Sequence, residues 1–272
     1  MSEEQDPAAT RGLRAGLFSV RVQADAIFRQ PAQAFGGELP LAAEPATLSE
    51  ALRRAAESDS GERLTHVRPD GTEVHQSYRG LLTDAERILS GLRAGGLRAG
   101  DKAILQAECS EDILPAFWGC VLGRIVPVVT PVPHAYTQPH RLLDQLVHIW
   151  GVLERPAVVV CESLRPAVPA LARSLNSEDL RVLSLDRLRD CEPDREHWPA
   201  QADDPAFFAL TSGSTKLPKC AILTHRNVLQ RAAGANQLGR HSTADVALNW
   251  LPFDHIGSLS DWHLRCVLLG CR

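Results

Sequence analysis

Residues 204–227 read DPAFFALTSGSTKLPKCAILTHRN. The stretch opens on a short apolar run, 206–210, that suits a buried strand. It passes directly into Thr211, Ser212, Gly213, Ser214, Thr215, Lys216, Leu217, Pro218 and Lys219. Backbone N–H groups and Ser/Thr hydroxyls can face phosphate oxygens, Gly213 lets the backbone come close, and Lys219 supplies a full positive charge. The same composition also describes an ordinary surface turn, and local chemistry leaves both readings open. The stretch is not a Walker A loop, which needs Gly-x-x-x-x-Gly-Lys-Ser/Thr, because Cys220 follows Lys219. Residues 220–223 read as a returning strand, and Thr224 as the cap of a helix starting near His225.

Upstream of this stretch, strand and helix patterns alternate. Residues 102–107, 125–130, 157–161 and 181–185 read as strands, the third a continuous apolar run fit for burial on both faces. Residues 113–122, 142–150 and 164–175 read as helices between them. This alternation predicts an α/β fold with a largely parallel sheet and helices on both faces. Before it, Thr47 and Glu50 stand at capping-box spacing ahead of an apolar run. Residues 64–68 and 72–77 read as a hairpin turned at Asp70-Gly71. Tyr78, Leu81, Leu82, Ala85, Ile88, Leu89 and Leu92 recur at helical steps until Gly95-Gly96 ends them. Residues 1–44 carry little periodicity and read as a mobile leader, with a short helix around 17–28. Residues 45–272 read as one domain.

Bulk properties narrow the function. The 272 residues are 44% hydrophobic and 23% charged, an ordinary globular profile. A net charge of -4 and few aromatic residues give no basic or stacking surface for nucleic acid, and no call for an anionic membrane. No apolar run approaches a membrane-spanning length. Seven cysteines, odd in number and scattered, suggest neither a disulfide framework nor a structural zinc site, and a reducing cytoplasmic setting is expected.

The order Thr-Ser-Gly-Ser-Thr-x-x-Pro-Lys, followed by Leu-Thr-His-Arg-Asn, closely resembles the phosphate loop of the adenylate-forming (AMP-binding) superfamily. That superfamily includes acyl-CoA synthetases, fatty-acyl-AMP ligases and nonribosomal peptide synthetase adenylation domains. The resemblance runs from about Thr47 to the C-terminus and takes in Tyr78 and Gly100-Asp101-Lys102. Two positions depart from it: Lys216 stands where the family usually has glycine, and Cys220 where glycine is frequent. If position 216 needs positive φ, a lysine there costs about 1–3 kcal/mol; alternatively it adds a second cation over the phosphates.

A second segment, Asn249-Trp250-Leu251-Pro252-Phe253-Asp254-His255-Ile256-Gly257, resembles the family's aromatic/His segment beside the acyl pocket. By that resemblance Phe253, Asp254, His255 and Gly257 are acyl-pocket candidates. The plain alternative for His255 is a hydrogen-bonded structural histidine. Asp254, Asp261 and His263 with His255 match no strong metal signature, and no metal site is expected from them. Trp250 and Trp262 read as packing residues. The Phe-Asp-His variant looks most like loading adenylation domains of hybrid polyketide/peptide synthases.

The resemblance implies ATP-dependent activation of a carboxylic acid as an acyl-AMP, with Mg²⁺ on the phosphates. Thr211, Ser212, Gly213, Ser214, Thr215 and Lys219 would bind the phosphates, and Lys219 and His255 are the candidate catalytic residues. The acyl group would pass to coenzyme A or to a phosphopantetheinyl carrier protein. The family's later segments have no counterpart before residue 272, so the chain is expected to be an N-terminal portion, inactive alone. A non-catalytic nucleotide-binding or interaction module is the competing reading, which Lys216 favours.

Overall fold

The computed structural model describes residues 45–272 apart from 59, 60, 62, 63, 139 and 212–216. The expected leader and the helix around 17–28 lie outside the described residues, as do Ser212, Gly213, Ser214, Thr215 and Lys216. The chain enters through helix α1 (Leu48–Glu57) and the antiparallel hairpin of β1 (Leu64–Val67) and β2 (Glu73–Gln76). Helix α2 (Tyr78–Ala94) follows. Then come β3 (Lys102–Gln106), α3 (Ser110–Leu122), β4 (Val126–Val129), α4 (Arg141–Val152) and β5 (Ala157–Val160). A 3₁₀ turn (Glu162–Ala167) leads into α5 (Val168–Ser174), β6 (Val182–Ser184) and α6 (Leu185–Arg189). The chain closes with β7 (Pro205–Thr211), β8 (Lys219–Thr224), α7 (His225–Gly239), a π-helical turn (Ser258–Leu264) and α8 (Arg265–Leu269).

The main sheet has six strands in the order β6-β5-β3-β4-β7-β8. Five run parallel, and β8 returns antiparallel along β7 at the edge. Expectation and structure agree on a largely parallel sheet flanked by helices. β3, β4 and β5 carry all-apolar or nearly all-apolar runs because both faces are covered: every residue of β4 and β5 is buried. From β3 the chain moves to β4 on one side, then crosses back to β5 on the other. Such a reversal opens a crevice outside the carboxyl ends of the strands.

Helix α3 lies at the centre. All its residues from Ile113 to Leu122 are buried, so its sequence shows no amphipathic stripe. Gly119 permits its close approach to α2: a Cβ there would sit 2.9 Å from the Ala85 carbonyl oxygen. The helix starts at Ser110, three residues before the apolar periodicity, because Glu111 and Asp112 make a polar first turn that suits the positive end of the helix dipole. The stretch 164–175, read as one helix, is split into a 3₁₀ turn holding Pro166 and a helix with Pro169 in its first turn. Helix α6 was hidden in a segment read as strand end and polar linker.

Local capping chemistry largely follows the sequence. Thr47 accepts from the Glu50 N–H at 3.2 Å, but the Glu50 carboxylate takes the Ala46 N–H, not that of Thr47, so only half the expected box forms. Thr224 caps α7 as expected, and the box there is completed by Asn227. His225, next in the chain, is buried, and its Nδ1 accepts the Leu48 N–H at 3.1 Å, tying α7 to α1. At the end of the chain, Arg272 donates to the Asp245 carbonyl and accepts from the Ala247 N–H, which is the bonding pattern of parallel strands. Val246, Leu248 and Trp250 stand exposed at every second position along that extended segment.

Burial holds His225 neutral, with its pKa pushed down to about 4. His66 and His263 are lowered by the same cause. An unfolded histidine titrates near 6.5, so as acid is added the unfolded chain takes protons first. Stability should be full above pH ~6.5 and fall as the pH drops toward 4, by about 3 kcal/mol for a histidine shifted as far as His225. Urea unfolding at pH 7.5, 5.5 and 4.5 measures it; equal midpoints would refute the neutral buried histidines.

Candidate functional site

The parallel strands place the loops after β3, β4 and β5 and the β7–β8 turn at one edge of the sheet. Base and mouth of the β7–β8 hairpin differ in charge. At the base, Arg226 forms a two-pronged pair with Asp203 (2.7 and 2.8 Å) and Arg124 meets Asp204 at 3.0 Å. At the mouth, Thr211 faces Lys219 as the last strand pair. Pro218 is buried, which anchors the returning strand, while Lys219 is exposed. Its ammonium makes no ion pair or hydrogen bond among the described residues. The chain's lysines are Lys102, Lys216 and Lys219, and Lys102 is paired with Glu154 at 2.7 Å. A cation without a partner among the described residues, on the antiparallel strand facing the carboxyl end of β7, is chemically ready for an anion.

A cleft of about 1700 Å³ opens at the carboxyl ends of β3 and β4. Its walls come from residues 107–111 after β3, residues 130–137 after β4, the β1–β2 hairpin, and residues 246–254. Phe253 and Asp254, two of the expected acyl-pocket residues, line it. Phe253 packs partly into the core, and burial raises the Asp254 carboxyl pKa. His255 and Gly257 lie beside the cleft, outside its lining. His255 is exposed, and its Nδ1 accepts the Gly257 N–H at 3.1 Å, which leaves the ring proton on Nε2. Gly257 is needed there because a Cβ would lie 3.2 Å from that ring. Asn249 and Ser258 brace the segment: Asn249 Nδ2 donates to Ser258 Oγ at 2.7 Å, and Ser258 Oγ to the Leu251 carbonyl at 3.0 Å. The structure thus gathers Phe253 and Asp254 into one cavity, and Thr211 and Lys219 on one hairpin.

Two cleft residues escaped sequence reasoning. His263 is buried in the π-helical turn, and its Nε2 accepts the Trp118 indole N–H at 2.8 Å. Burial pushes its pKa down to about 3, so the ring is neutral. Trp118 and Phe253 both meet it edge-on, at 5.9 and 6.4 Å between ring centres. Thr130, at the carboxyl end of β4, is buried and its Oγ1 has no hydrogen-bond partner, an arrangement that costs about 1–3 kcal/mol. A hydroxyl residue ending a buried strand near a sheet's switch point is a signal that could have found Thr130. His263 was weighed only as a metal ligand, and its bond to Trp118 gave no signal because that partner lies 145 positions away. The candidate metal set is dispersed: Asp261 pairs with Arg231 at 3.1 Å and His263 with Trp118. Trp250 and Trp262 form a tilted pair at 6.2 Å and both line the cleft.

The fold is thus an α/β domain with a cleft at the sheet's switch point. The chain belongs to the AMP-binding enzyme family, whose sequence model matches residues 52–272. Among solved structures it is 37% identical to the adenylation domain of a keto acid-selecting NRPS module bound to keto acyl adenylate, with a TM-score of 0.84 over 89% of this chain and 43% of that one. It is 34% identical to an McyG A-PCP structure complexed with phenylalanyl-adenylate, with a TM-score of 0.82 over 88% of this chain and 42% of that one. It is 27% identical to the nonribosomal peptide synthetase acyN of Ascocoryne sarcoides, over 81% of this chain and 24% of that protein. The chain therefore spans about a quarter of the length of the curated relatives it matches. No helix among the described residues is long and apolar enough to cross a membrane.

The Trp118–His263 bond ties α3 to the π-helical turn beside the cleft, so Trp118→Phe should leave a buried acceptor unpaired. The expected loss is about 1–3 kcal/mol in unfolding free energy, read from urea midpoints at pH 7.5. A variant as stable as the parent would show that the bond contributes nothing.

Proposed function

We propose that this chain carries the phosphate-binding and acid-binding elements of an adenylate-forming ligase. The observation that carries the reading is Lys219: exposed, without a partner among the described residues, and paired across the hairpin with Thr211 at the carboxyl end of β7. In the reaction, the carboxylate oxygen of the acid attacks the α-phosphorus of ATP, the bond to the bridging oxygen breaks, and pyrophosphate leaves. The acid is its own nucleophile, so the protein's work is positioning and charge stabilisation.

Lys219 would offset negative charge on the departing pyrophosphate. Thr211, Ser212, Ser214 and Thr215 would donate to phosphate oxygens, with Gly213 allowing the backbone in. This donor set suits a triphosphate. Mg²⁺ would be held mainly by phosphate oxygens, in keeping with its usual need for only one or two protein carboxylates. The acid would lie in the cleft lined by Phe253 and Asp254. His255, held by the Gly257 N–H with its Nε2–H exposed, would face the reacting carboxylate from beside the cleft. The acyl group would then pass to a thiol on coenzyme A or a phosphopantetheinyl carrier protein. A cytoplasmic setting fits seven cysteines that are all free.

Calorimetric titration of the chain with ATP and Mg²⁺ tests the reading. Lys219→Ala should weaken binding at least ~10-fold, about 1.4 kcal/mol, with little change in thermal stability because the side chain is exposed. Equal affinity in parent and variant would remove Lys219 from the phosphate site.

A further inference from the structure

We propose a second chemistry for the cleft, one that needs no nucleotide. Ser110 is a nucleophile and His66 its general base, and together they hydrolyse an activated carboxylic ester with an apolar acyl part.

Ser110, His66, Gln76 and Asp84 make one hydrogen-bonded line. Ser110 opens helix α3 and lines the cleft, half-buried. Its Oγ lies 2.7 Å from Nδ1 of His66, which is 6% exposed and lines the same cleft. His66 Nε2 lies 3.3 Å from Gln76 Oε1, and Gln76 Nε2 donates to Asp84 Oδ2 at 2.7 Å. The line fixes each proton. An ionised carboxylate only accepts, so Gln76 turns its amide N–H to Asp84 and its carbonyl oxygen to His66. That oxygen only accepts as well, so His66 carries its proton on Nε2. Nδ1 is then bare and accepts the Ser110 hydroxyl. Burial lowers the His66 pKa, which keeps the ring neutral and Nδ1 available. The hairpin sets this order. His66 is the buried residue of β1, and Gln76 sits diagonally across from it on β2, two positions past its direct partner Val74. A nucleophile bonded to a base, and a base held by a third group, are the parts that acyl transfer to a serine needs.

The surroundings suit the same step. Glu111 is paired with Arg68 at 2.8 Å and Asp112 with Arg189, so the carboxylates next to Ser110 are already matched by cations. Burial, with the Asp112 carboxylate beside it, pushes the neighbouring Cys109 thiol up to about 11, and it stays protonated and a poor nucleophile. The N–H groups of Ser110 and Glu111, first in the helix, have no intrahelical acceptor, and the helix dipole is positive at that end, which suits a developing oxyanion. Val132, Leu164 and Phe253 on the cleft wall offer an acyl chain an apolar surface. Ser110 Oγ attacks the ester carbonyl carbon while its proton moves to His66 Nδ1. The tetrahedral intermediate collapses, the bond to the leaving oxygen breaks, and that oxygen takes the proton from Nδ1. Water then attacks the acyl-serine and gives a proton to Nδ1. The acid leaves, and Ser110 Oγ recovers that proton. The sum is ester plus water to acid plus alcohol.

The test incubates the full chain at pH 7.5 with an alkyl fluorophosphonate and, separately, with p-nitrophenyl butyrate. Peptide mass spectrometry should place the phosphonate on Ser110. Release of p-nitrophenol should run at least ~10-fold faster than with Ser110→Ala, and His66→Gln should slow both reactions at least ~10-fold. Cys109→Ala should leave both unchanged. ¹⁵N spectra should show His66 protonated at Nε2 alone. The labelling site and the tautomer are read on the parent chain, so they decide the matter if Ser110→Ala or His66→Gln does not fold. No phosphonate on Ser110, an Nδ1–H tautomer, or undiminished hydrolysis in Ser110→Ala overturns the proposal and leaves the Ser110–His66 bond as a tie between the hairpin and α3. No nucleotide enters these measurements. A failure to bind ATP–Mg²⁺ therefore counts against adenylation alone, and an unlabelled Ser110 against this pair alone.

Discussion

A single buried hydrogen bond, from the Trp118 indole to His263, joins the central helix of the sheet to the segment that walls the cleft. Around it runs a line of edge-on rings: Phe207 on β7 meets Phe117 at 5.4 Å, Phe117 meets Trp118 at 5.6 Å, Trp118 meets His263, and His263 meets Phe253. Edge-to-face contacts are directional as well as apolar. The line therefore fixes β7, which ends at Thr211, relative to the wall that carries Phe253 and Asp254. Helix α3 serves as the reference for both because it is buried on every side and packed against α2 through Gly119, leaving it no room to shift.

Charge is distributed around this apolar axis with the same economy. Ion pairs pin the base of the β7–β8 hairpin and the first turn of α3, where Arg68 holds Glu111 and Arg189 holds Asp112. These exposed or half-exposed pairs add little stability singly, but they fix which ends of the elements are already neutralised. Among the described residues Lys219, at the mouth of the β7–β8 hairpin, is left out of that pairing. The buried histidines are neutral, each through burial, and His225 and His263 use one ring nitrogen as an acceptor for a distant N–H. Among the described residues, the buried side-chain hydroxyl left without a partner, that of Thr130, belongs to a residue lining the cleft.

Much of the fold was legible because its signals are local. Strand runs such as 157–160 and the steps of α2 reveal themselves by period, and the Thr224 cap and the Gly95 helix end by residue type. The readings that slipped did so where local signals conflict. Helix α3 begins in polar residues, two prolines break the 164–175 helix, and α6 is too short to show a period. In the candidate site, Phe253 and Asp254 were legible through a resemblance of contiguous residues. The same resemblance pointed to His255, which lies beside the cleft, held by its own turn through the Gly257 N–H.

By itself, the sequence determined the α/β class, the hairpin that carries Thr211 and Lys219, and the segment that supplies the cleft wall, because each depends on neighbours a few positions apart. Only the tertiary structure decided which polar groups are left without partners. Trp118 and His263, or Leu48 and His225, meet across most of the chain, and whether a hydroxyl such as that of Thr130 is satisfied depends on what folding brings around it. Partnering in a packed interior is a property of three-dimensional neighbours, and a linear chain records it at no single position.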